Sequence, residues 1–145
     1  VQVGSGHEIA FNHNPRIINM LNKFTIQQLK LIIANSECYV GIDSGTLHVA
    51  ASTDTPIVAI FTSAHHEFRQ PLGRNDESIF VPITPNIDCY GCQSRLPPPI
   101  TGVICPVGDP HSPPCKDSVP INKLINSVIY CAESNRKLIS NIQYQ

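Results

Sequence analysis

Two uninterrupted apolar runs, Cys38-Tyr39-Val40-Gly41-Ile42 and Ile57-Val58-Ala59-Ile60-Phe61, constrain this chain more than any other feature. Neither alternates polar with apolar, so each predicts a strand covered on both faces, the pattern of a parallel sheet. Parallel neighbours need a crossover. Residues 45–53 supply one as a short helix with Leu47, Ala50 and Ala51 on one face, stopped by Pro56. Upstream, Thr25 and Gln28 have the spacing of a capping box, and Ile26, Leu29, Ile32 and Ile33 follow at helical intervals, predicting a helix over 26–35. Residues 1–4 read as a short strand and 17–21 as a buried one. A closing helix is expected after Ser118, with Ile121, Leu124, Ile125, Val128, Ile129 and Ala132 in one stripe. The fold class is α/β, a Rossmann-like parallel sheet domain.

Proline and cysteine divide the chain. Ten of its 13 prolines fall between Pro82 and Pro120, and four of its six cysteines lie in the same window. The expected organisation is a Rossmann-like body over 1–82, an irregular Pro/Cys-rich insert over 83–117 and a C-terminal helix packing on the body over 118–145. Ten Lys+Arg against 11 Asp+Glu leave a net charge of −1 with no basic run, which gives nucleic acid no electrostatic footprint. No apolar run approaches the roughly 18 residues of a membrane helix. The chain opens at Val1 without an initiator Met, and reads as part of a longer polypeptide.

The chemistry is expected at Gly41-Ile42-Asp43-Ser44-Gly45-Thr46-Leu47-His48, a strand end, tight turn and helix start in eight residues. Open α/β sheets bind ligands outside the carboxyl ends of their strands. Gly45 permits close backbone approach, and the amides of Ser44, Gly45 and Thr46 at a helix start favour an anion such as a pyrophosphate. Asp43 repels phosphate but accepts hydrogen bonds from sugar hydroxyls. His48, one turn on, adds a donor to phosphate oxygen. The plainer reading is that Asp43 or Ser44 only caps the helix. The same turn also fits a nucleophile elbow with Asp43 as nucleophile, as in some α/β-hydrolases, with His65, His66 or His111 as partner. On the loop after the second apolar run, His65 and His66, with Glu67 and Arg69, either meet donor phosphate or form a polar exposed loop.

Cys89, Cys92, Cys105 and Cys115 form a second constellation. A pair two residues apart around Gly91, followed by two more thiols, suits a tetrahedral zinc or iron site, which would order an insert poor in apolar residues. Two disulfides or four free thiols are the alternatives, and His111 is a substitute ligand. Cys38 and Cys131 read as core residues. A metal-stapled interaction module without catalysis is a further reading of the insert.

Residues 38–61, CYVGIDSGTLHVAASTDTPIVAIF, resemble the signature of glycosyltransferase family 9, the heptosyltransferases and their protein-modifying relatives, at Asp43, Ser44, Gly45, His48, Ala50, Ala51 and Pro56. The resemblance implies the C-terminal, donor-binding half of a GT-B enzyme. Its partners would be an N-terminal GT-B domain missing from this chain, a nucleotide-diphosphate sugar donor (ADP-heptose-like) and an acceptor hydroxyl on lipopolysaccharide or protein. It implies Asp43 at the donor sugar, Ser44, Gly45, Thr46 and His48 at the diphosphate, and Glu8 at the ribose, where a solvated helix charge is the plain alternative. No catalytic residue is placed in this chain, since the base and a phosphate-binding Lys belong upstream. Phe61-Thr62-Ser63-Ala64-His65-His66 departs from the family's usual continuation. The cysteine insert is similar to the iron-binding finger of the autotransporter heptosyltransferases. A cytoplasmic enzyme, its thiols reduced, is expected, with homo-oligomers allowed.

Overall fold

A computed structural model describes residues 1–6, 10–11, 13–72, 78–95, 105, 107–109 and 112–143. Candidates Glu8 and His111 lie outside them. Three parallel strands, β1 (Tyr39–Ile42), β2 (Ile57–Ile60) and β3 (Phe80–Ile83), form a sheet in the order β1-β2-β3, in register from Tyr39↔Ile57 and Ile57↔Phe80. Among the described residues six helices accompany them: α1 (Ile26–Ala34), α2 (Gly45–Ala51), α3 (His66–Arg69), α4 (Cys92–Arg95), α5 (Pro114–Asp117) and α6 (Ile121–Gln143). No helix of the described residues is long and apolar enough to cross a membrane.

Each face of β2 builds one core. Ile57, Ala59 and Phe61 pack with Leu29 and Ile33 of α1 and Leu47 and Ala50 of α2. Val58, facing the other way, packs with Ile83 and Cys131 of α6. Such two-sided burial is what the unalternating run predicts for β2, whereas β1 departs from the expectation: its Val40 and Ile42 are exposed. Helix α1 starts as expected, with the Thr25 side chain capping the Gln28 amide and the Gln28 side chain returning to the Thr25 amide. The far end of α6 is fastened to the turn before β1. Arg136 forks onto Glu37, with Nη2 2.7 Å from Oε2, and Asn135 donates to the carbonyls of Ser36 and Glu37.

Three further expectations change. Residues 17–21 are no buried strand: Ile18 is 60% exposed, and the segment meets residues 1–4 at the parallel bridge Gln2↔Asn19, where the Gln2 amide donates to the Ile18 carbonyl and the Met20 amide to the Gln2 carbonyl. The stripe on α6 is wider than its contact. Leu124, Val128 and Cys131 meet the sheet, whereas Ile121, Ile125 and Ile129 stay exposed. Strand β3 has no counterpart in the sequence reading. Pro82 disguises it, tolerated because β3 is an edge strand, and the strand runs through positions 82 and 83.

Cys38 and Cys131 pack together beneath α6, and burial pushes the Cys38 thiol up to about 12 and the Cys131 thiol above its ordinary value. Ionising either would put charge in the core. Because the folded values are raised, the stability gained by keeping these thiols neutral is complete below the unfolded thiol value of about 8.5 and is lost as pH climbs toward 12. The urea midpoint should therefore fall between about pH 8.5 and 11, and fall less in Cys38→Val. Parallel losses in both proteins would remove the thiols as the cause.

Candidate functional site

Asp43 and Ser44 make the turn between β1 and α2, at the carboxyl edge of the sheet. Ser44 occupies the N-cap position with extended backbone, φ −153° and ψ 173°, but its side chain makes no capping bond. Its Oγ lies 2.9 Å from Thr46 Oγ1, which is 2.7 Å from the Tyr39 hydroxyl. The capping role weighed for this turn is thus absent at Ser44. Asp43 instead faces Arg69 of α3, whose Nε is 3.9 Å from Oδ2. A Cβ placed on Gly45 would meet nothing within 4 Å, so among the described residues nothing fills the space above this glycine. Amides in the first turn of a helix lack intrahelical acceptors, and among the described residues none takes up those of Gly45 and Thr46. His48 is exposed one turn along α2.

What positions this turn was not legible in the sequence. Tyr39 lies flat along β1, over Gly41, to reach Thr46. A Cβ on Gly41 would collide with the Tyr39 hydroxyl and come within 2.6 Å of Cζ. A glycine inside an otherwise apolar strand is the available signal, since such a glycine marks a close approach. Arg69, named with His65, His66 and Glu67 as meeting donor phosphate or forming a polar loop, stands beside Asp43, a pairing the sequence did not indicate.

The loop leaving β2 is not simply polar and exposed. His65 and His66 are half-buried and stacked, with ring centroids 5.0 Å apart, and the ring of Tyr90 lies 4.9 Å from that of His65. The Tyr90 hydroxyl accepts from the His66 amide at 2.8 Å and lies 3.0 Å from its Nδ1. Gln93 donates its amide to the Ser63 carbonyl at 2.9 Å, and the His65 amide donates to Ser94 Oγ at 3.0 Å. Gly91, at φ +73°, lets the chain turn against His65, where a Cβ would stand 2.9 Å from Cδ2. The Cys89–Cys92 knuckle is therefore seated on the loop that follows β2.

Burial and neighbouring thiols raise two of these cysteines. Burial raises the Cys92 thiol first, and the charges of Cys89 and Cys105 add to the effect. Cys115, buried on α5, is raised by burial and then by Cys92, Cys89 and Cys105. The four thiols thus share one electrostatic neighbourhood, and the described cysteines are free thiols. Among the described residues no group of three or more His, Cys, Asp or Glu is set as metal ligands.

Comparison with known proteins adds three findings. The family model for glycosyltransferase family 9 (heptosyltransferase) matches residues 6–98. Lipopolysaccharide heptosyltransferase 3 of Escherichia coli is 30% identical over 61 residues, 42% of this chain and 18% of that protein. Lipopolysaccharide heptosyltransferase 2 of Salmonella typhimurium is 35% identical over 54 residues, 37% of this chain and 16% of that protein. The matched stretches span less than a fifth of either relative. No solved structure matches at comparable significance.

Gly41→Ala should displace Tyr39 from Thr46 and cost about 1–3 kcal/mol, the usual range for overpacking. Urea unfolding measures the loss, and a wild-type midpoint would show that Tyr39 has room to move.

Proposed function

This chain belongs to glycosyltransferase family 9, and on that premise we propose that it forms the donor-binding half of a sugar transferase with a GT-B architecture. The observation that carries the proposal is the turn at 43–46. Among the described residues nothing takes up the amides of Gly45 and Thr46 or the space above Gly45, and the turn falls inside the stretch that the family model matches. The donor's diphosphate would lie over the amides of Ser44, Gly45 and Thr46, with His48 adding a hydrogen bond. Asp43 would accept from hydroxyls of the transferred sugar, and Glu8 from the ribose. Arg69 keeps positive charge beside Asp43 and close to the leaving group.

In the reaction an acceptor hydroxyl bonds to the anomeric carbon as the bond from that carbon to the diphosphate oxygen breaks. The electron pair leaves with the nucleoside diphosphate, and the acceptor's proton passes to a base outside residues 1–145. Amides fixed before the reaction stabilise the charge growing on the leaving oxygen without reorganising. A heptose donated from an ADP-linked form, an acceptor on lipopolysaccharide or protein, a preceding GT-B domain and a cytoplasmic setting complete the reading. The relatives' names support the heptose. The hydrolase reading needs a downstream histidine activated by another acid and leaves the family match at His48, Ala50 and Ala51 without a reason, so it stands behind the transferase.

The donor set at Cys89, Cys92, Cys105 and Cys115 fits a tetrahedral thiolate site in number and chemistry. These four would hold one iron or zinc ion, whose contribution is structural because no ligand position stays open. Fixing the knuckle would also fix the loop on which His65 and His66 sit, since the two segments are hydrogen-bonded. An interaction module formed by the same insert is compatible with donor binding.

Two outcomes test this. In the whole polypeptide, Asp43→Ala should weaken ADP-sugar or UDP-sugar binding, read by calorimetry, about 10–100-fold, the worth of a charge-assisted hydrogen bond. Undiminished binding and turnover would remove Asp43 from the site. Plasma mass spectrometry should find about one iron or zinc per chain. That metal should be absent from Cys89→Ser/Cys92→Ser and released as pH falls, because protons compete with metal for thiolates. A metal-free protein prepared under reducing conditions would exclude the site.

A further inference from the structure

Three hydroxyls form a chain from the core to the turn at 43–46. The Tyr39 hydroxyl lies 2.7 Å from Thr46 Oγ1, which in turn lies 2.9 Å from Ser44 Oγ. Tyr39 is buried, whereas Thr46 and Ser44 are half-buried. Among the described residues Thr46 is the side-chain partner of Ser44 Oγ, which caps no helix amide.

Proton counting gives this chain a direction. Each hydroxyl has one proton to donate and lone pairs to accept with. A phenol, with an ordinary value of about 10, is the most acidic of the three, so it is the best donor and the poorest acceptor. The Tyr39 proton therefore goes to Thr46. Accepting it makes Thr46 a better donor in its turn. A ligand at the turn that only accepts hydrogen bonds fixes the second link: Ser44 gives its proton outward and takes that of Thr46. Satisfying a buried phenol calls for a partner such as Thr46. It does not call for the further link to Ser44, and a phenyl ring over Gly41 would fill the same core.

We propose that Tyr39 is a positioning residue for the donor's diphosphate: through Thr46 it turns the Ser44 hydroxyl so that its proton faces a phosphate oxygen. The inference rests on the donor-binding reading, and adds to it a side-chain donor and the buried group that aims it. The phosphates of a nucleotide sugar are ionised and only accept, so they complete the polarity from Tyr39 through Thr46 and Ser44 to the ligand. No proton is transferred. As negative charge grows on the leaving oxygen, each bond in the chain polarises the next.

Calorimetry of the whole polypeptide with ADP and UDP at pH 8 tests it. Tyr39→Phe keeps the ring over Gly41 and removes only the hydroxyl. It should weaken nucleotide binding about 3–10-fold, the worth of a neutral hydrogen bond. In a Ser44→Ala background the same substitution should change nothing, because the hydroxyl it aims is gone. A Tyr39 that merely supports the fold would cost the same in both backgrounds, since the amides of the turn would still be displaced, and that result overturns the proposal. Undiminished binding by Tyr39→Phe also overturns it and leaves the donor site standing. A wild-type protein that binds neither nucleotide overturns the donor reading and this inference together. Should Tyr39→Phe fail to fold, Thr46→Val, which breaks the chain one link on, decides the question in the same two backgrounds.

Discussion

Burial of β2 on both faces is the constraint from which the rest of this structure follows. Ile57, Val58 and Ala59 have no accessible surface, and neither does Phe61 just beyond the strand. Full burial of a side chain of this kind is worth about 1.5–3 kcal/mol, so one four-residue strand organises two cores. Its odd-numbered side chains hold α1 and α2, and Val58 holds α6 through Cys131. A strand buried in this way needs neighbours on both sides, which β1 and β3 supply, and crossovers long enough to keep all three parallel.

The candidate site inherits its position from that strand. The turn at 43–46 lies at the carboxyl end of β1, and the seat of the cysteine knuckle lies just after the end of β2, on the same edge of the sheet. Asp43 and Arg69 connect the two regions, since Arg69 closes the short helix that begins at His66. A change in the order of the cysteine insert would therefore be felt at the turn through Tyr90, His66 and α3. Restraint on the site comes from both sides: Tyr39 and Thr46 hold the turn from within the body, and the insert holds the loop facing it.

Local periodicity made much of this fold legible. The apolar runs marked β1 and β2, and the Thr25/Gln28 pair marked the start of α1, because each signal is written within a few residues. Strand β3 was hidden by Pro82, whose tolerance depends on an edge position that only the assembled sheet defines. The stripe on α6 was visible, but which half of it meets the sheet depends on how the helix is rotated. At the site, the turn stood out as a strand end followed by Gly and a helix. Roles for Asp43 and His48 could be read from the chemistry of that turn, whereas the role of Glu8 came from family resemblance alone, because nothing in its local pattern separates it from a solvated charge. Contacts between Tyr39 and Thr46, Tyr90 and His66, and Arg69 and Asp43 join positions seven, 24 and 26 residues apart, and nothing in local pattern encodes them.

The central claim is that the turn at 43–46 receives the diphosphate of the donor. A crystal structure of the whole polypeptide with a nucleoside diphosphate bound tests it most directly. The account predicts phosphate density against the amides of Ser44, Gly45 and Thr46, within reach of His48. Diphosphate density elsewhere on the molecule, with this turn bare, would contradict it.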